Sequence, residues 1–484
     1  MRLPPFLLCF LAFPISSLLL PLTALAGPNI VLVMTDDQGW GQTGYNGHPL
    51  LKTPHLDEMA AHGLRFDRFY AGAPVCSPTR ASVLTGRHSD RTGVPSHGHA
   101  LRLQEKSLAQ ALREVGYQTG HFGKWHLNGL RGHGVPLLHD DKHSPGAFGF
   151  SEWLSVTNYF DVNPLLSRKG DFVDFQGDSS SVIVREALRF MAAAHEAETP
   201  FLAVIWDGSP HTPFFASEED QQAFANLDEK SRLHYAELVA FDRSIGALRA
   251  GLRELGAAQD TLIWYCSDNG GLNGMKPETT GGLRGHKGSL WEGGLRVPGI
   301  IEWPAGIRPR VTAFPASTMD IFPTLAELCG LSEDCFVSPV DGKSLVPLFE
   351  GEMGPRPEPI AFRFQGQAAL IDNDFKLVKA WGRKNASGPR SFELYHVASD
   401  PGETQDLSKE KPEYFQSLID QWLAWEESVK ASVAGKDYPE GRVLPLDPSA
   451  ERRFWHEDER YQKHFEEFKK RPEYQNWFER IGKK

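Results

Sequence analysis

The chain has 484 residues, which at ~150 residues per domain suits two or three domains. Its 40% apolar and 23% charged residues, with 46 glycines and 34 prolines spread along the chain, suit a globular protein with many loops and exclude coiled-coil, collagen-like and multi-span membrane classes. Lysine and arginine number 51 against 62 acidic residues, and the resulting charge of −11 disfavours binding to nucleic acid or to an anionic membrane surface.

The first 26 residues read as a separate object. Arg2 supplies a positive start, Phe6 to Leu20 is strongly apolar, and Ala24-Leu25-Ala26 is a small-residue cleavage signal before Gly27. This is the pattern of a secretory signal peptide cleaved after Ala26, and no other apolar run approaches the ~20 residues of a spanning helix. The expected location is therefore secreted or periplasmic, an oxidising compartment with no membrane attachment after cleavage. Cys9 leaves with the signal. Cys329 and Cys335 bracket a short loop, either as a local disulfide or as two free thiols; Cys266 lies in an apolar run and reads as a buried thiol; Cys76 is the odd one out.

From the amino end, Asn29 to Met34 is a continuous apolar, β-branched run ahead of Thr35-Asp36-Asp37, the pattern of a strand buried on both faces of a parallel sheet. Lys106 to Val115 has helical spacing and leads into a short strand, Tyr117 to Phe122. A helix over Ser180 to Ala194 precedes a second apolar strand, Phe201 to Trp206, and a helix over Lys230 to Leu255 precedes a third, Thr261 to Cys266. Strands alternating with helices predict an α/β sandwich around a large, mostly parallel sheet, whose ligands collect at the carboxyl ends of the strands. After about residue 355 the runs Ala369 to Asp372, Phe375 to Ala380 and Ser391 to His396 alternate and predict a small antiparallel sheet, with a helix over Tyr414 to Ser432. The tail from Glu451 to Lys484 is charged with interleaved aromatics and reads as an amphipathic helical tail docked on the body, with an oligomer contact or a substrate rim as the alternative. The expected units are residues 1–26, a catalytic domain 27–354, a C-terminal subdomain 355–450 and the tail 451–484.

Cys76-Ser77-Pro78-Thr79-Arg80 is the sharpest chemical signal, because Pro78 suits the first turn of a helix and puts Cys76 at an anion-favouring N-terminus. Asp36 and Asp37 end one buried strand, and Asp268 and Asn269 end another. A lone pair of this kind is usually a helix cap or a solvated turn; two pairs converged would form the all-oxygen set that a hard divalent cation requires, Ca²⁺ above all and Mg²⁺ next, and no His/Cys set with zinc spacing accompanies them. Lys124 and His126 follow the short third-element strand, His211 ends the Phe201 strand, and Lys287 lies in a glycine loop. So many cationic or ionisable donors around a metal suit a tetrahedral anionic ester rather than a neutral sugar or peptide.

At these residues the chain resembles the type I, formylglycine-dependent sulfatases of the alkaline-phosphatase-like superfamily. The matching stretches are Asn29 to Asp37, Cys76 to Gly86, Gly116 to Leu127, Ser267 to Gly270, Lys287 to Pro298, and Glu393 to His396 with Asp400 to Thr404, in family order over residues 28–407. The resemblance implies that a maturation enzyme oxidises Cys76 to formylglycine, whose hydrate attacks sulfur. It implies that Asp36, Asp37, Asp268, Asn269 and residue 76 hold Ca²⁺, that Arg80 holds the diol and Lys124 the sulfuryl group, that His211 or Lys287 protonates the departing alcohol, and that His126 removes the second hydroxyl proton. Asn128 departs from the family pattern, which commonly continues directly with glycine.

The substrate expected is a sulfated polysaccharide or oligosaccharide. Arg131, His133, His139, Lys142 and His143 crowd one loop and, with His97, His99 and Arg102, are candidates for a basic rim that binds further anionic groups; their alternative reading is a solvated polar loop. The rivals are a phosphate or phosphonate ester hydrolase of the same superfamily and a non-catalytic protein that only binds sulfated glycans.

Overall fold

The computed structural model describes residues 27–160, 162–380 and 391–482; the leader expected over 1–26 lies outside them. Its strands in chain order are β1 Asn29–Thr35, β2 Leu64–Tyr70, β3 Gln118–Lys124, β4 Leu130–Arg131, β5 Glu152–Val156, β6 Leu165–Arg168, β7 Asp171–Asp174, β8 Phe201–Trp206, β9 Thr261–Ser267, β10 Arg296–Glu302, β11 Arg310–Thr312, β12 Ala316–Ser317, β13 Ile360–Phe364, β14 Gln367–Asp372, β15 Phe375–Lys379, β16 Glu393–Tyr395 and β17 Arg453–Phe454. A large sheet runs β11-β2-β10-β9-β1-β8-β3-β5-β6-β7, with β12 beside β2. Its middle, β9-β1-β8-β3-β5, is parallel throughout, and β10 and β6 join it antiparallel.

The apolar runs are continuous because both faces of the sheet are covered. Ile30, Leu32 and Met34 of β1 pack with the Cys76–Thr85, Leu108–Glu114 and Ile321–Leu328 helices on one face. Val31 and Val33 point the other way, into the Ser179–Glu196 and Glu229–Glu254 helices. The chain thus has the expected α/β architecture, and the small sheet β13-β14-β15-β16 is antiparallel as its alternation predicts. One face of that sheet packs on the Pro412–Val433 helix through Leu418 and Trp422, and the other on Leu290, Trp291 and Leu295 beside the large sheet.

The tail is docked, but not as one amphipathic helix. β17 pairs in parallel with β4, and three short helices follow at Glu459–Gln462, Phe465–Phe468 and Pro472–Ile481. Trp455 is fully buried among Leu130, Val135, Leu138 and Leu165, so the chain wraps around one large side chain instead of presenting a continuous stripe. Gly129 sits under this turn at φ +86°, where a Cβ would stand 2.2 Å from the Ala450 carbonyl. Cys329 and Cys335 are free thiols, and the Cys329 sulfur lies 3.3 Å from the Tyr117 hydroxyl, so the disulfide alternative is set aside. Cys266 is buried in β9 as expected. Among the described residues no helix is long and apolar enough to cross a membrane.

Candidate active site

The register of β1 with β9, Thr35 opposite Ser267, brings the two acidic pairs side by side where both strands end. The Asp37 amide donates to Asp268 Oδ1 at 3.1 Å and Asn269 Nδ2 donates to Asp37 Oδ1 at 2.8 Å. Asp37 turns the chain at φ 67°, a left-handed conformation that aspartate tolerates better than most residues. Carboxylate oxygens of Asp36, Asp37 and Asp268 lie within 4.8 Å of one another, and Asp36 makes a second such group with Cys76 and His211.

Cys76 opens the Cys76–Thr85 helix, one position after the extended residue Val75. Its thiol faces Lys287 Nζ at 3.8 Å. Arg80, one turn on and fully buried, donates to Asp268 Oδ2 at 2.9 Å and lies over the Trp206 ring. Lys124, at the end of β3, is hydrogen-bonded to Asp36, and Lys287 to Asp37. His211 Nε2 stands 3.8 Å from Asp37 Oδ2; because a carbonyl only accepts, its Nδ1–H donates to the Thr212 oxygen at 2.7 Å. His126 is buried with neither ring nitrogen hydrogen-bonded to a protein group. All ten residues singled out from the motifs therefore meet in one place.

The electrostatics are those of a charged, mostly buried site, with His211 and Lys287 at its partly exposed mouth. Burial alone would raise Asp36, but Lys124, His211, Arg80 and Lys287 hold it well below the usual carboxylate range. Burial and then the Asp36 charge push Asp268 up to about 7, against Arg80 and Lys124. Burial, reinforced by Lys124 and Arg80, takes His126 well below its ordinary value, so its imidazole is neutral. Burial takes His211 down to about 4. It also pushes the Cys76 thiol up to about 11 despite Lys124 and Lys287.

A divalent cation fits the donors. Asp36 Oδ1, Asp37 Oδ2 and Asn269 Oδ1 are buried oxygens without a hydrogen-bond partner, an expensive state that a bound cation relieves together with the carboxylate repulsion.

The rim expectation separates into two groups. His133 is only 4% exposed, wedged edge-on between Tyr159 and Tyr474, and so faces no solvent. Arg102 spends its guanidinium on the carbonyls of Arg91, Ser432 and Val433, tying its loop to the end of the Pro412–Val433 helix. His143 is buried and bonded to the Leu101 carbonyl, and Lys142 pairs with Asp447 away from the acids. His97, His99 and Arg131 remain reachable. The Gly98 amide between the two histidines donates to Ser77 Oγ at 2.9 Å, which fixes their loop next to Cys76. Asn128 is buried and donates to Asp141 Oδ2 at 2.7 Å, bracing the loop that follows His126. Two neighbours escaped the sequence reading: Tyr159, stacked on His211, and Arg452, whose Nε donates to the His97 carbonyl at 3.0 Å. Neither carries a local signal, since each is placed only by the folded chain.

The Sulfatase family model matches residues 28–331. N-acetylgalactosamine-6-sulfatase of Mus musculus is 30% identical over 471 residues, covering 84% of this chain and 87% of the relative. Arylsulfatase A of Homo sapiens is 34% identical over 362 residues, covering 67% and 68%. Among solved structures, Ps i-CgsB in complex with k-i-k-neocarrahexaose superposes with a TM-score of 0.72 at 27% identity, covering 82% of this chain and 92% of that one. The matched segment carries every acid, the cysteine and the cations of the site just described, and the chain belongs to the sulfatase family, enzymes that hydrolyse sulfuric esters.

Proposed function

We propose that this sulfatase removes sulfate from a carbohydrate polymer outside the cytoplasm, using formylglycine made from Cys76 and a calcium ion held by Asp36, Asp37, Asp268 and Asn269. The observation that carries the reading is the set of buried, unpartnered acid and amide oxygens gathered beside Cys76 and ringed by Lys124, Arg80 and Lys287. The carbohydrate is supported by the names of the similar proteins, one an N-acetylgalactosamine-6-sulfatase and one solved with a neocarrahexaose. Residues 1–26 serve as the cleaved export leader, ahead of a catalytic unit 27–354, a subdomain 355–450 and the tail.

Bound there, the cation supplies Lewis-acid neutralisation of the sulfate oxygens. Formylglycine supplies a hydrated aldehyde whose hydroxyl is the nucleophile. Lys124 and Lys287 place ammonium groups where the negative charge of the ester gathers, and buried Arg80, braced on Asp268 one turn after residue 76, would hold the diol. His211 Nε2 or Lys287 Nζ delivers the proton to the leaving alcohol oxygen. With formylglycine at residue 76, His126, neutral and unbonded, would accept the proton of its second hydroxyl as the bond to the departing sulfate breaks.

The test is inorganic sulfate release from a panel of sulfated glycans and one aryl sulfate, by protein co-expressed with a formylglycine-generating enzyme. Release that disappears in Cys76→Ala is the expected result. An unconverted thiol at residue 76 in active enzyme, or activity in Cys76→Ala, overturns the mechanism. Release from the aryl sulfate alone overturns the carbohydrate assignment.

A further inference from the structure

Pairing of β17 with β4 brings the tail to the edge of the active site, in register Arg453 with Leu130 and Phe454 with Arg131. The Arg131 guanidinium lies over the Phe454 ring, 4.5 Å from its centroid, and its stem runs along Gly98, where a Cβ would stand 2.4 Å from Arg131 Cγ. Arg452 reaches the same loop from the tail side through its bond to the His97 carbonyl. Two arginines far apart in the sequence thus meet one loop, Arg131 through its stem and Arg452 through its guanidinium, and that loop is pinned to Ser77, the residue after Cys76.

Their charge is uncompensated. Nearby cations have carboxylates, Lys142 with Asp447 and both Arg453 and Arg460 with Asp458. Among the described residues Arg131 and Arg452 have none, although the chain as a whole carries −11. Arg452 is instead lowered by burial and then by Arg131, the mark of two like charges held together. His97 and His99 are each taken down to about 4, by burial first and then by this arginine pair, so they stay neutral and offer hydrogen bonds rather than charge. A cavity of about 330 Å³ continues from His99 and Arg452 past Gln104 to Leu444, within the size range of small-ligand sites.

Taking the proposed carbohydrate substrate as given, we propose that Arg131 and Arg452, flanked by His97 and His99, form a subsite for a second anionic group, a sulfate ester or a uronate carboxylate, on the sugar next to the one being desulfated. Arginine suits either group because its guanidinium stays charged at any working pH and offers several N–H donors to an anion.

The test is calorimetric binding to full-length Cys76→Ala protein, which binds without turnover. The probes are a κ-carrageenan tetrasaccharide, with sulfates and no carboxylate, and a hyaluronan tetrasaccharide, with carboxylates and no sulfate. Adding Arg131→Gln and Arg452→Gln is expected to weaken at least one probe tenfold or more. Loss confined to carrageenan identifies sulfate as the second group, loss confined to hyaluronan identifies the carboxylate, and loss of both means that charge alone is read. Arg131→Lys with Arg452→Lys, which keeps both charges, recovers most of the binding and separates charge from folding. Equal affinities with and without the arginines, failure of the lysine variant to recover, or no binding of either probe to Cys76→Ala overturns the subsite. Sulfate release by the matured parent enzyme is scored apart, so its failure overturns the proposed function and not this geometry.

Discussion

Tyr159 lies flat on His211, ring centroids 4.6 Å apart and planes 12° from parallel. Behind it His133 stands edge-on at 5.0 Å, and behind His133 the tail residue Tyr474 at 4.8 Å, with its hydroxyl on the Gly134 carbonyl. A column of rings therefore runs from the C-terminal tail to the imidazole beside Asp37. With His211 hydrogen-bonded through Nδ1, the flat face of Tyr159 helps set the plane in which Nε2 points toward Asp37.

Replacing Tyr159 by Leu is expected to lower kcat/KM on an aryl sulfate about a hundredfold, the size of a misplaced proton-transfer group. Tyr159→Phe keeps the stack and is expected to keep most of the rate. Equal losses in the two variants would show that the hydroxyl, not the stacked ring, matters.

A second expectation concerns the acids. Asp268→Ala removes one carboxylate of the proposed cation site and the Arg80 partner together. Calcium content, measured after exhaustive desalting, should fall to background, with kcat down at least about a thousandfold, the scale of losing a transition-state charge stabiliser. A chelator should lower the melting temperature of the parent and leave that of Asp268→Ala unmoved, since an ion bound only by the folded state stabilises it. A parent that is indifferent to chelation contradicts the metal site.

The large sheet and the acids at its strand ends were legible because a doubly covered parallel sheet needs long apolar strands, and Asn29 to Met34, Phe201 to Trp206 and Thr261 to Cys266 are nothing else. β2 and β10 were not, because Arg65, Asp67 and Arg68 interrupt the first and Pro298 and Gly299 the second. The site motifs could be read because each is contiguous. The rim could not: Arg131 and His133 are two residues apart, and only partners brought by the fold, Phe454 beside the first and Tyr159 and Tyr474 around the second, decide that one stays reachable while the other is buried.

The fold carries a pH-sensitive joint far from the chemistry. Asp242, 2% exposed on the Glu229–Glu254 helix, accepts the His55 and Leu56 amides at 3.2 and 2.8 Å and so caps the Pro54–His62 helix. Burial raises it from 3.8 to about 6, partly opposed by those two bonds. With the folded value above the unfolded one, its contribution is fully present below about pH 4 and is lost as pH rises through about 6. Urea melts of Asp242→Asn should lie below the parent at pH 4, where the amide loses one cap bond. They should then gain on the parent by up to about 3 kcal/mol by pH 7. A gap between the two proteins that stays constant over that range would refute the shift.

The tail is expected to matter to stability as much as to the site. Trp455 is fully buried, stacked against Trp477 and edge-on to Phe465, Phe468 and Phe478, while its own segment seals Leu130, Val135 and Leu138 of the body. Truncation to alanine removes the ring and leaves a cavity that the surrounding aromatics, each already bonded or packed, cannot close. The cost is about 3–5 kcal/mol. Because β17 is held to β4 by only two residue pairs, the loss should first detach the tail, making the segment after Ala450 a target for limited proteolysis before global unfolding. Trp455→Ala should therefore be cleaved in the tail under conditions in which the parent is intact, with the large sheet still folded by circular dichroism. Cleavage of the body at the same rate as the tail would mean that the two unfold as one unit and that the seam is stronger than its two pairs suggest.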